Sequence, residues 1–105
     1  MNKIFGMLGL AKRAGKVSTG AFICTKMIKS GRAKLVILAG DASENTKKAV
    51  SDSCRFYKVR LIEYSDMTEL GHATGGGERA VVSVNDYNFA KAILDIFISC
   101  ETEKG

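Results

Sequence analysis

The chain has 105 residues, 46% of them hydrophobic and 26% charged, which suits one soluble domain with its own core and leaves too little for two. Its net charge of +5 is unevenly placed: Lys3, Lys12, Arg13, Lys16, Lys26, Lys29, Arg32 and Lys34 precede Asp41 with no acid among them, and eight basic against eleven acidic residues follow. A basic end of this kind points to a polyanionic partner, nucleic acid first, while no apolar run approaches membrane-spanning length.

Residues 2–14 predict a first helix, with Ile4, Phe5, Leu8 and Ala11 on its packed side and Lys12-Arg13 at the negative end of its dipole. The run IFGMLGLA imitates a signal peptide, but it is eight residues long, Lys12-Arg13 closes it, and no small-residue cleavage site follows. The expected location is therefore cytoplasmic.

Gly15 ends that helix, and Lys16-Val17-Ser18 reads as a short strand. Ser18-Thr19-Gly20 then supplies a turn and a hydroxyl N-cap for a helix over 21–30, with Gly31 as its left-handed end. Ala21, Cys24 and Ile28 share one stripe, widened by Ile23 and Met27, while Lys26 and Lys29 share another face. An anion there would meet free amides, the positive end of the dipole and two lysines.

Lys34-LVILA-Gly40 is a continuous aliphatic run that predicts a strand buried on both faces. Asp41-Ala-Ser43 provides a turn and cap for a helix from Glu44 to about Arg55, with Ala49, Val50 and Cys54 inward. Val59–Tyr64 is the next strand, and Ser65-Asp66 caps a short helix to about His72. Gly75-Gly76-Gly77 is a flexible break before a last strand over 79–85. Asp86 caps a final helix to about Ser99, packing on Phe89, Ala90, Ile93, Leu94 and Phe97. Alternating strands and helices predict an α/β fold, a three-layer α/β/α sandwich with a four-stranded mixed central sheet. One domain is expected over residues 1–99, with a tail at 100–105; the pattern leaves the strand order open.

No catalytic constellation emerges. His72 stands alone, no serine has a G-x-S-x-G setting, and no phosphate-binding G-x-x-x-x-G-K-[ST] run exists. Gly6, Gly9 and Gly15 lie within and after a helix, the wrong setting for a nucleotide fingerprint. Cys24, Cys54 and Cys100 are odd in number and far apart, and one histidine does not complete a metal site with them. They are expected to be reduced, buried and inert, and no cofactor is expected. Gly75-Gly76-Gly77-Glu78-Arg79 reads either as a surface loop or as a contact loop onto which another backbone can close, with Arg79 placed to hold a phosphate. Phe22 is either a core residue or an exposed ring that stacks on a base.

The order Gly20, five residues, Lys26, the aliphatic run Leu35–Ala39, then Leu70-Gly71-His72-Ala73-Thr74-Gly75 before a valine-rich strand resembles the kink-turn RNA-binding ribosomal protein superfamily. That superfamily includes the large-subunit proteins seven-Ae and thirty-e. Through GLAKRAGKV, AKLVILAGDAS-N-T and YKV the chain is most similar to its small bacterial YlxQ-like branch, over roughly Lys3 to Phe97. The resemblance implies a non-enzymatic α/β/α protein. Family members grip sharply bent RNA at tandem sheared G·A pairs with the start of the second helix and the loop before the last strand. Gly20 then matches the glycine that lets the backbone approach RNA, and Lys26 the lysine that meets phosphate or a guanine edge. The loop Gly75, Gly76, Gly77, Glu78 and Arg79 would face the extruded base. One departure stands out: Phe22-Ile23 replaces the Asn-Glu pair with which the strongest kink-turn binders read the G·A pairs.

The expected function is binding of ribosomal or other structured RNA, kink-turn RNA among the options, with the ribosome as a candidate location and no membrane partner. The contact set is Lys16, Ser18, Gly20, Ala21, Phe22, Ile23, Lys26, Lys29, Arg32 and the loop Gly75–Arg79. The alternative is a protein-interaction module, which needs an apolar patch around Phe22, Ile23 and Tyr57. A small nucleotide-using enzyme is disfavoured because no acid–base pair accompanies the glycine-rich loop.

Overall fold

The computed structural model describes residues 2–104, with side chains described through Ser99. The elements in chain order are α1 (Lys3–Arg13), β1 (Val17–Thr19), α2 (Ala21–Lys29), β2 (Leu35–Leu38), α3 (Glu44–Tyr57), β3 (Arg60–Glu63), α4 (Met67–Ala73), β4 (Val81–Val84) and α5 (Tyr87–Lys104). The sheet order is β1-β4-β2-β3. β4 is antiparallel to both β1 and β2, whereas β2 and β3 are parallel, so the sheet is mixed as expected.

The aliphatic run fixes the centre. Leu35, Val36, Ile37 and Leu38 are all buried, as are all four residues of β4. α1 packs with α4 and α5 on one face of the sheet, and α2 packs with α3 on the other. This is the expected α/β/α sandwich. Ile4, Leu8 and Ala11 of α1 are buried with Phe5 partly so, and Ala90 and Ile93 anchor α5.

Local signals set most helix ends. Asn2 Oδ1 accepts from the amides of Ile4 and Phe5 at 2.9 and 3.1 Å, Ser43 Oγ from Thr46 at 3.2 Å, and Asp66 Oδ1 from Glu69 at 2.8 Å. Asp86 Oδ2 likewise accepts from Phe89 at 3.0 Å. α2 ends in a Schellman arrangement: Gly31, with φ 79°, donates to Ile28 O, and Arg32 donates to Met27 O.

Several expectations need correction. α3 continues past Arg55 to Tyr57 and ends on Lys58 in the left-handed conformation, and Ala49 faces solvent. α5 runs beyond Ser99 to Lys104, so a helix occupies positions assigned to a tail. Ala21 and Ile23 are exposed, while Cys24 and Ile28 are buried and Met27 packs partly against the core. The expectation of a buried Cys100 falls outside the described side chains.

Candidate nucleic-acid interface

β1, β2 and β3 all run the same way, opposite to β4. Their C-terminal ends therefore share one end of the sheet with the start of β4. Gly20 is bonded there to the strand that follows the loop 75–79: the Gly20 amide donates to Val81 O at 3.0 Å, and Ala39 donates to Ala80 O at 2.8 Å.

The start of α2 is built differently from the hydroxyl cap expected at Ser18-Thr19. Both residues are extended in β1, and the Ser18 hydroxyl accepts from Asn85 Nδ2 at 2.9 Å. The N-cap is Gly20 itself, at φ 92° and ψ 144°, and no side chain caps the helix. Its carbonyl accepts from Cys24 at 2.9 Å. The preceding first-turn amides have no intrahelical partner, which leaves them to an outside acceptor. A Cβ built on Gly20 would meet nothing within 4 Å, so the space in front of this backbone is open.

Beyond that turn, Phe22, Thr25, Lys26 and Lys29 share one face with Ala21 and line a shallow groove of about 390 Å³. Phe22 is 70% exposed, which settles its two readings in favour of the surface. The Lys26 ammonium lies 4.7 Å from the centroid of its ring, a cation–π contact that holds both side chains on the helix face.

The glycine loop is hydrogen-bonded back onto the helix before it. Gly76 donates to Gly71 O at 2.9 Å, Gly75 to His72 O, and Arg79 to Met67 O at 3.0 Å, so the loop is strapped to α4. Gly71 makes that approach possible: a Cβ there would lie 1.9 Å from the Gly77 carbonyl oxygen. Arg79 is folded back over Gly76, within 2.5 Å of where a Cβ would stand, and Nη1 donates to Glu78 O at 3.3 Å. Its buried Nε has no hydrogen-bond partner. Glu78 is exposed and receives a long bond from Thr68 at 3.5 Å, placing one carboxylate beside the basic surface.

The remaining expected residues do not join this set. Lys16 precedes β1 and Arg32 follows α2, which puts both at the opposite end of the sheet. There they line a groove of about 440 Å³ with Ser18, Lys34 and Asn85. Lys34 and Asn85 were not in the expected contact set. The signal was in the spacing: Lys16 and Lys34 each lead into one of two strands that run the same way. Among the described residues no three His, Cys, Asp or Glu side chains are placed to hold a metal ion, and no helix is long and apolar enough to cross a membrane.

Comparison with known proteins bears on the fold and the family. An RNA-binding protein YlxQ of Bacillus subtilis (strain 168) is 44% identical over 92 residues, covering 88% of this chain and 92% of the relative. A protein of the same name from Enterococcus faecium is 40% identical over 94 residues, covering 90% of each. A solved structure of a protein of unknown function from Bacillus halodurans superposes with a TM-score of 0.88 at 34% identity, over 91% of this chain and 97% of the other. The Giardia lamblia 15.5kD RNA binding protein shares the fold, with a TM-score of 0.77 at 20% identity over 93% and 84%. Residues 2–94 match the Ribosomal protein L7Ae/L30e/S12e/Gadd45 family, and the chain belongs to it.

Proposed function

We propose that this chain binds structured RNA without catalysing a reaction, through the start of α2 and the loop 75–79. The observation that carries the reading is the Gly20 start: an uncapped helix, open in front, with Lys26 and Lys29 further along the same groove and the Gly20 amide bonded to the strand that leaves the loop 75–79. Amides and dipole suit a phosphate. Lys26 and Lys29 add charge, and the Phe22 face offers a base a stacking surface. The names of the YlxQ relatives support RNA as the partner.

Phe22-Ile23 supplies no side-chain hydrogen bond to a G·A pair, so recognition rests on phosphate position and backbone shape. Discrimination between kink-turn RNA and a variant without its G·A pairs is accordingly weak. The adapter alternative loses its patch. α2 and α3 run in the same direction, so Phe22 and Ile23 lie at one end and Tyr57, edge-on to Phe56 at 4.9 Å, lies at the other.

The test is a titration of both RNAs at several salt concentrations with the wild type and Lys26→Ala. Contact with about four to six phosphates predicts a log–log salt slope of about −3 to −5. Lys26→Ala should weaken binding to both RNAs and flatten the slope by about 1. Salt-insensitive binding, or none at low salt, would contradict the proposal.

A further inference from the structure

The groove at the opposite end of the sheet is separate from the surface proposed above, and its charge is unmatched. Lys16, Arg32 and Lys34 line it, and no carboxylate does. All three are exposed, and the ion pairs among the described residues involve Lys47, Lys48, Arg55 and Lys91 instead. The Lys34 ammonium donates to Gly31 O at 2.9 Å, which holds it at the groove edge. Lys34 also borders a smaller groove of about 130 Å³ that contains Tyr87, whose side chain is 65% exposed. The neighbouring acid, Asp86, accepts from the Phe89 amide and lines neither groove.

We propose that this end is a second RNA-contact surface, which takes an unpaired strand with its phosphates on Lys16, Arg32 and Lys34 and a base on Tyr87. Regularly spaced phosphates match three cations around one depression. An exposed phenol ring beside them is the usual platform for a splayed base, whereas a duplex keeps its bases stacked and is held by its shape. Continuity also favours RNA. Lys26 and Lys29 lie along α2 between the two ends, and the nine-residue helix spans roughly 13 Å at the helical rise per residue. A bent RNA held at the start of α2 can then pass a single-stranded flank to this groove.

The inference rests on the reading that the partner is RNA, but its test uses a different RNA and different variants. The full chain is titrated with single-stranded oligouridylate. The wild type should bind in a salt-dependent manner. Replacing Lys16, Arg32 and Lys34 together by alanine should weaken binding about ten-fold or more and flatten the salt slope by about 2. Tyr87→Ala should weaken it about five-fold or more, and Tyr87→Phe should restore most of the loss because the ring face is kept. These side chains are exposed, and a thermal melt checks that each variant is folded. Failure of oligouridylate to bind, an unchanged triple variant, or a larger loss from Lys26→Ala would each overturn the second surface. The kink-turn titration is unaffected by any of these outcomes, and its own failure would leave the oligouridylate result standing.

Discussion

Cys24 and Cys54 show how single side chains tie the packed core to pH. Both are free and buried between α2, α3 and the sheet. Burial pushes each thiol up from its ordinary 9.0 to about 11, and for Cys54 the nearby Cys24 adds to the rise. A folded-state value above the unfolded one means that the folded chain holds the proton longer. The stabilisation is complete below pH 9 and is lost as pH rises from 9 toward about 11, by at most about 1.4 kcal/mol per pH unit for each thiol. Urea melts across that range should show the decline. The Cys24→Ala/Cys54→Ala variant is weaker at neutral pH through lost packing, yet its alkaline profile should be flatter by that slope. An identical profile in both proteins would refute the assignment.

At the scale of the element, α2 makes the most specific demand on the sequence. The Gly20 backbone, at φ 92° and ψ 144°, lies where side-chain-bearing residues are strained. Gly20→Ala should destabilise the chain by about 1–3 kcal/mol. It should also weaken RNA binding measured well below the melting point, because the new methyl group stands in the open space that the RNA backbone needs. Thermal melts and a titration on the same sample read both effects. Unchanged affinity with lowered stability would reduce Gly20 to a structural residue. The caps at Ser43, Asp66 and Asp86 were legible in the sequence because donor and acceptor lie within three residues. The start of α2 was not. Its hydroxyl candidate, Ser18, is drawn into β1 and bonded to Asn85, and nothing local announces that partner.

For the whole molecule, the sequence showed the layers more plainly than the order within them. The unbroken run Leu35–Leu38 identifies a central strand by itself, while the order β1-β4-β2-β3 depends on pairings such as Val17 with Val84. The same gap split the contact set. Lys16 and Arg32 are near Gly20 in sequence, but a strand and a helix carry them to the far end of the sheet. The glycine loop was recognisable as a break, whereas nothing local announces the close approach of Gly77 to Gly71 on α4. Folding divides the early basic residues: Lys3, Lys12 and Arg13 go with α1 to one face of the sheet, and Lys26 and Lys29 go with α2 to the other.

The proposed function depends on RNA meeting the backbone where α2 begins. Amide chemical-shift mapping on the full chain, titrated with a kink-turn RNA that lacks a single-stranded flank, tests it most directly. The largest shifts are expected at the amides of Ala21, Phe22 and Ile23 and at Gly75, Gly76 and Gly77. Shifts confined to other surfaces, such as the aromatic pair Phe56–Tyr57 or the outer face of α5, with these amides unmoved, would contradict it.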